Sequence, residues 1–367
     1  MRGGERVLEV LAAEYPEADL FTLVHVPNST SARVEELKIC ASPLNRIPGI
    51  GRHYRKFLPL FPWAASRIRP RGYDLVISIS HAVAKNVIVE KGTPHLSYCL
   101  TPMRYIWDQA ESYMGTGPRR WLAAPLISAL RQHDIKHSDP QHVDRFVAIS
   151  ETVRDRIRRH YQRDSRIVHP PVDTQRYRPS NAPTGDFYLL VGGFVPYKRE
   201  DLVLEAFRGM DRSLVVAGDG PGRRKLESRA PANVEFCGRV GDDRLLHLMQ
   251  NCRALIYPQE EDFGIAAVEA QAAGRPVIAL GRGGAVDSVR PLLRVQENRR
   301  IEICREGNAT GIFFSEQSPD GLRAAIDAFE SHEDEFDSRS IREHAETFSI
   351  PRFLAELKAE IEISLQK

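Results

Sequence analysis

The stretch Pro258-Gln-Glu-Glu-Asp-Phe-Gly-Ile-Ala-Ala-Val-Glu-Ala-Gln-Ala-Ala-Gly-Arg-Pro-Val-Ile-Ala constrains this chain more than any other. It follows the apolar run Ala254-Leu-Ile-Tyr257 and leads into a second, Pro276-Val-Ile-Ala-Leu280, so it reads as a helix between two buried parallel strands. Gly264 then stands near the helix start and Gly274 just past its end. A loop that opens into a helix offers free backbone N–H groups and a positive dipole end, which suit a phosphate-bearing ligand. Glu261 in the loop and Glu269 in the helix cannot bind phosphate. They suit hydroxyls, such as those of a ribose or a sugar ring.

A chain of 367 residues exceeds one ordinary core, so two domains are expected. Charged residues at 27% and hydrophobic ones at 42% place it among soluble globular proteins, and a formal net charge of +2 names no partner by itself. Cys40, Cys99, Cys237, Cys252 and Cys304 are odd in number and contain no C-x-x-C, which points to free thiols in a reducing cytoplasm. No apolar run approaches the roughly 20 residues of a membrane span, and the first residues do not read as a signal peptide.

The second half reads as an α/β domain that starts afresh. Prolines and polar residues between His169 and Gly185 mark the boundary. Phe187-Tyr-Leu-Leu-Val191 is its first strand, Gly192-Gly193 a turn, and Asp201 to Phe207 a helix, with Pro196-Tyr-Lys-Arg199 between. Lys198, a flexible ammonium at the carboxyl end of a strand, suits a diphosphate whose negative charge grows as it leaves. After the strand Ser213-Leu-Val-Val-Ala217 comes Gly218-Asp-Gly-Pro-Gly222, whose G-x-G-x-G spacing departs from the dinucleotide fingerprint. Asn233 to Arg239 is a further strand, Gly311 to Phe314 a late one, Asp320 to Phe329 a helix, Glu330 to Asp337 a solvated acidic run, and Pro351 to Leu365 the last helix.

The first half holds the strands Ala18–His25, Tyr73–Ser80, His95–Cys99 and Val143–Ser150, then a basic helix from Glu151 to His160. His81 follows the second of these strands, at the carboxyl end where ligands gather in open α/β sheets; a lone histidine also has a purely structural reading. Arg104 and Trp107 lie in Thr101-Pro-Met-Arg-Tyr-Ile-Trp-Asp108, where they suit an acceptor phosphate and a sugar face, or a buried indole beside a surface arginine. From Leu37 through Tyr73 there is no acidic residue, while Lys38, Arg46, Arg52, Arg55, Lys56, Arg67, Arg69 and Arg71 are present. Tyr54, Phe57, Leu58 and Phe61 fall at helical spacing, with Trp63 after them. Such a surface binds anionic lipid headgroups, unless the aromatics pack inward and the arginines are solvated. No nucleic-acid motif accompanies the charge. His133, His137 and His142 carry no acidic partner motif and are not read as a metal site.

Glu261-x7-Glu269 with Phe263-Gly264-Ile265 inside it resembles the donor-site signature of retaining glycosyltransferases of family 4, with the GT-B fold. Thr101–Asp108, Pro196–Arg199 and Gly281-Arg-Gly-Gly284 extend the resemblance over nearly the whole length, toward bacterial O-antigen and exopolysaccharide mannosyltransferases. It implies two doubly wound, Rossmann-like domains facing an interdomain cleft: residues 1–178 with a returning helix 346–367 on the acceptor side, and 179–345 on the nucleotide-sugar side. The first domain is expected to lack its first strand, because a strand and short loop precede Gly3 and Gly4 in the family.

The resemblance implies a hexose, first of all mannose from GDP-mannose, moved with retention to a lipid-linked or saccharide acceptor, without a metal or other cofactor. Glu261, Lys198 and His81 would be catalytic. Glu269, Phe263, Gly264, Ile265, Arg199, Arg239 and Val240 would bind the donor, and Gly3, Gly4 and Arg104 would line the acceptor side. Two positions depart from the family: Leu100 stands where a histidine is usual, and Gly193 where an arginine is frequent. Leucine can neither donate a hydrogen bond nor hold charge. These departures motivate a second reading, a donor-binding but inactive homologue that acts as a partner in polysaccharide assembly. A nucleotide-sugar epimerase is a third.

Overall fold

Short runs of β-branched and aromatic residues alternate with amphipathic helices, a pattern that builds parallel sheets covered by helices. The computed structural model describes residues 3–108, 118–297, 300–304 and 308–366. It divides into two units, Met1–Pro171 with Phe353–Lys367, and Val172–Arg352.

The first unit runs α1 (Gly3–Glu14), β1 (Asp19–Thr22), β2 (Lys38–Ala41), β3 (Val76–Ser80), β4 (His95–Cys99), α2 (Pro118–Lys136), β5 (Arg145–Ala148), α3 (Glu151–Tyr161) and β6 (Ser165–Ile167), with short helical turns between. β3, β4, β5 and β6 pair in parallel in that order, while β1 and β2 form a separate parallel pair. The two sheets are linked through a side chain: the Tyr73 hydroxyl donates to Asp19 at 2.6 Å, and its ring meets Phe21 edge-on. α3 starts where the Ser150 hydroxyl caps the Val153 amide, and ends in Arg158, Arg159 and His160, which complement its dipole.

This unit also holds a buried polar network that no local pattern foreshadows. Lys85, 1% exposed, meets Asp134, 0% exposed, at 2.7 Å. Asp134 also accepts the Tyr161 hydroxyl at 2.9 Å and the Trp107 indole N–H at 2.8 Å. Trp107 is further held between His160, stacked at 4.5 Å, and the Arg131 guanidinium at 5.0 Å. Trp107 is thus half-buried, with its indole engaged within this unit. The region 38–71 splits. Phe61 is buried and Tyr54, Phe57 and Leu58 pack against its cluster with Met103 and Ile106, whereas Trp63 is 53% and Leu60 47% exposed, with Arg67 over the indole at 4.7 Å. The side chains of Arg55 and Lys56 lie outside the described residues. Among the described residues no helix is long and apolar enough to cross a membrane.

The second unit runs β7 (Phe187–Gly192), α4 (Glu200–Phe207), β8 (Ser213–Gly218), β9 (Val234–Gly238), α5 (Asp242–Asn251), β10 (Leu255–Tyr257), α6 (Ile265–Ala272), β11 (Val277–Leu280), β12 (Pro291–Val295), β13 (Ile301–Ile303), β14 (Gly311–Phe314), α7 (Pro319–Glu330), α8 (Ser338–Glu346) and the start of α9 (Ile350–Leu365). Its eight strands lie in the order β13-β12-β14-β11-β10-β7-β8-β9, parallel except for the antiparallel β12–β13 pair. α7 shows why such helices form: Ser318 caps the Gly321 amide, Pro319 occupies the first turn, and Leu322, Ala325, Ile326 and Phe329 recur on one face and enter the core. The run Glu330–Asp337 is not simply solvated. Glu330 receives Arg212 at 3.1 Å, Arg253 at 2.9 Å and the Tyr188 hydroxyl at 2.8 Å, and Arg253 also meets Glu333 in the same run. From Phe353 onward α9 belongs to the first unit, where Phe353 packs edge-on against Tyr98 and Glu360 meets Arg145 at 2.9 Å.

Three histidines are buried as neutral rings. Burial pulls His95, His137 and His344 each down to about 4. The unfolded chain takes up protons near pH 6.5 that these folded imidazoles refuse, so their stability contribution is complete above pH 6.5 and is lost as pH falls toward 4. Linkage gives on the order of 3 kcal/mol per ring. Urea midpoints are expected to drop steeply across that interval, and to drop less in His137→Gln; a flat profile would refute the assignment.

Candidate active site

In a doubly wound sheet the exposed loops and helix N-termini gather at the carboxyl ends of the strands, where the strand order reverses. In the second unit that reversal falls between β7 and β10, which pair through Leu189–Leu255 and Leu190–Ile256. The segments leaving these two strands carry Lys198 and Glu261, and the two side chains meet at 2.9 Å between Nζ and Oε1. Tyr257, the last residue of β10, donates its hydroxyl to the other oxygen of Glu261 at 2.5 Å. Each carboxylate oxygen thus has a partner, while Lys198 and Glu261 keep 21% and 23% of their side chains exposed.

The electrostatics follow from this contact. Burial lowers the Lys198 pKa, but the Glu261 carboxylate raises it by more, so the ammonium ends above the ordinary lysine value. Burial, then the same carboxylate, pushes the Tyr257 phenol far up, which keeps it a hydrogen-bond donor. Tyr257 was legible only as part of a buried strand; a phenol at a strand's carboxyl end, four residues before a loop carboxylate, was the available signal.

The loop itself is shaped by glycine. Gly264 caps α6 with φ of 94°, and a Cβ there would stand 2.7 Å from the Tyr257 hydroxyl, so any side chain would push the phenol off Glu261. The Gly281-Arg-Gly-Gly284 segment joins the same loop, the Gly284 amide donating to the Glu261 carbonyl at 2.8 Å. On the other side, Gly218 closes β8 against β7 so tightly that a Cβ would lie 1.9 Å from the Gly192 carbonyl oxygen.

The remaining donor-side residues fall as follows. Phe263 is buried against Phe348, Ile265 opens α6, and Glu269 is buried within that helix. Arg199, in the left-handed region with φ of 56°, turns to Gln317 at 3.1 Å and Asp201 at 3.3 Å, and Gln317 in turn donates to the Pro258 carbonyl at 2.9 Å. It is already engaged, and Gln317 is a neighbour that sequence reading missed. Arg239 is exposed and Val240 half-buried just past β9. Around Gly193, nothing lies within 4 Å of the place a Cβ would occupy.

His81, Gly3, Gly4 and Arg104 belong to the first unit. His81 is exposed immediately after β3, and Leu100 follows β4 with its amide donating to Ser80 at 2.8 Å. Gly3 and Gly4 open α1, and a Cβ on Gly4 would stand 2.8 Å from the Leu100 side chain. Arg104 is half-buried in the loop whose ends Arg156 holds, through Thr101 at 3.3 Å and Asp108 at 3.2 Å. The histidines do not form a chelate: His133 and His137 stack face to face at 4.0 Å, and among the described residues no group of three His, Cys, Asp or Glu is placed to hold a metal.

Residues 1–176 match Glycosyltransferase Family 4, and residues 173–347 match Glycosyl transferases group 1. An uncharacterized glycosyltransferase of Methanocaldococcus jannaschii is 28% identical over 62% of this chain and 68% of its own length. The D-rhamnosyltransferase WbpZ of Pseudomonas aeruginosa is 32% identical over 37% of this chain and 41% of its own, and the O-antigen chain mannosyltransferase C of Escherichia coli 34% identical over 29% and 31%. Among solved structures, Anabaena HepE in complex with UDP and glucose superposes with a TM-score of 0.66 at 12% identity, covering 98% of this chain and 96% of that one. Sucrose-phosphate synthase of Thermosynechococcus elongatus gives 0.67 at 18% identity, covering 98% and 92%.

Proposed function

We propose, for a chain that belongs to the family 4 glycosyltransferases with the GT-B fold, that it moves a hexose, mannose from GDP-mannose in the first instance, onto a lipid-linked or saccharide acceptor of a cell-surface polysaccharide. The observation that carries this reading is the Lys198–Glu261 contact at the switch point of the second unit's sheet. A lysine has three donors, so Lys198 can keep Glu261 and still meet the leaving diphosphate. Glu261 then orients a sugar hydroxyl, Glu269 receives the ribose hydroxyls, and the amides at Phe263 and Gly264 meet the diphosphate or sugar. Arg199, Arg239 and Val240 flank the nucleotide. His81, Gly3, Gly4 and Arg104 serve the acceptor side.

In the reaction the bond from the anomeric carbon to the diphosphate oxygen breaks, and a bond to the acceptor oxygen forms on the same face. The acceptor's proton passes to the departing diphosphate. No protein nucleophile is needed, and leaving-group charge is met by Lys198 rather than by a metal. The exposed Trp63 and Leu60 beside Arg67 support contact with an anionic lipid surface, where a lipid-linked acceptor would be held.

The packing of Leu100 on Gly4 favours one alternative, a homologue that binds donor without transferring it. Purified protein incubated with labelled GDP-mannose, or UDP-glucose, and a membrane lipid extract separates the readings. Labelled lipid or saccharide supports transfer, donor binding without product supports the inactive homologue, and interconverted free donor indicates an epimerase. Absence of binding to either donor would end the donor-site reading. The open space at Gly193 gives a further expectation: Gly193→Arg adds a cation toward the diphosphate and is expected to tighten donor binding by about tenfold, measured by calorimetry. Unchanged affinity would show that the diphosphate lies elsewhere.

A further inference from the structure

Glu200 opens α4 directly after the turn that carries Lys198 and Arg199, and it is only 4% exposed. Its Oε1 has no hydrogen-bond partner among the described residues. That oxygen is held against Gly192, the last residue of β7, where a Cβ would stand 2.8 Å from it, and the neighbouring Gly193 faces open space. A buried carboxyl oxygen beside the turn that carries Lys198, without a hydrogen-bond partner among the described residues, is in an unfavourable state if it is ionised and in a useful one if it carries a proton.

The surrounding charges are accounted for. Burial raises the Glu200 pKa most, the backbone amides of Glu200 and Phe194 and the Lys198 ammonium lower it, and Asp201 raises it. Lys198 is paired to Glu261, Arg199 to Asp201 and Gln317, Arg223 to Glu227, and Arg323 to Asp320 and the carbonyls of Glu205 and Ala206. Among the described residues each of these cations has an acid or carbonyl partner of its own, and the net balance keeps the carboxyl above its ordinary value.

We propose that Glu200 is a phosphate-recognition residue which acts in its protonated form, its Oε1–H donating to a phosphoryl oxygen of the nucleotide-sugar at the Gly192-Gly193 turn beside Lys198. This rests on the donor-site reading above. A carboxylate would repel the diphosphate, whereas a carboxylic acid donates to it, so binding draws a proton onto Glu200 wherever the free side chain is ionised. Donor affinity therefore falls as pH rises, by up to about tenfold per pH unit.

Calorimetric titration of wild type, Glu200→Gln, Glu200→Ala and Glu261→Gln with GDP-mannose and UDP-glucose, from about pH 6 to about pH 8.5, tests this, since the donor's diphosphate diester does not titrate there. The wild-type Kd is expected to rise with pH. Glu200→Gln, which keeps an N–H donor, is expected to bind within about threefold of wild type with a flat profile, and Glu200→Ala about tenfold more weakly, also flat. Glu261→Gln should keep the slope. A pH-independent wild-type Kd, or a slope that survives in Glu200→Gln, overturns the proposal and leaves the donor site intact. Failure of the wild type to bind either nucleotide-sugar at any pH overturns the donor-site reading and the proposal with it.

Discussion

Lys198→Ala is expected to lower the rate of sugar transfer by about 10²–10³-fold, the loss typical when one preorganised donor to a developing charge is removed. The effect should fall mainly on kcat, since negative charge on the diphosphate is greatest as the sugar departs. Lys198→Arg, which keeps the charge but not the compact ammonium, should recover only part of the rate. Because Lys198 and Glu261 touch at 2.9 Å, their substitutions cannot be independent. Lys198→Ala combined with Glu261→Gln is expected to cost clearly less than the product of the two single losses. Steady-state kinetics on the four proteins of this cycle measure the coupling. Strictly multiplicative losses would mean that the pair does not act as a unit.

The second large effect belongs to the first unit. Asp134→Ala is expected to destabilise it by about 3–5 kcal/mol, because the substitution strands the buried Lys85 ammonium without its partner. The same change releases the Tyr161 hydroxyl and the Trp107 indole N–H, and so loosens the loop that carries Arg104. Replacing both partners, Lys85→Met with Asp134→Leu, removes the orphaned charge and should recover much of the stability while the loop stays loosened. Urea unfolding followed by tryptophan fluorescence reads both consequences. If Asp134→Ala unfolded at the wild-type midpoint, the network would be an ornament of the fold rather than its support.

The two networks differ in how far they can be read from residues alone. Glu261, Gly264 and Lys198 stand in short local patterns: a strand, a glycine-bearing loop and a helix start, each written in consecutive residues. The strand ends were off by a few residues where apolar side chains continue past the last paired position, as at Tyr73–Ser80 against the observed Val76–Ser80. β2, β6, β12 and β13 were missed because short, half-exposed strands lack the apolar run that marks a buried one, and β13 is exposed throughout. Arg199 is placed beside Lys198 by the sequence, whereas its partner Gln317 stands 118 residues away in the chain, a contact that no local pattern shows.

From the residues alone came the α/β class and the order of strands and helices around the signature loop, because those follow from local periodicity and turn chemistry, and Glu261 and Lys198 as candidates on that loop and turn. The tertiary structure alone decided that Lys198 and Glu261 are partners, that Tyr257 holds the second oxygen, that Trp107 is spent on Asp134, and that Glu200 is shut in against Gly192. Those contacts join segments far apart in the chain. Which side chains come to share a buried space is set by the packing of whole sheets and helices, and no local pattern encodes it.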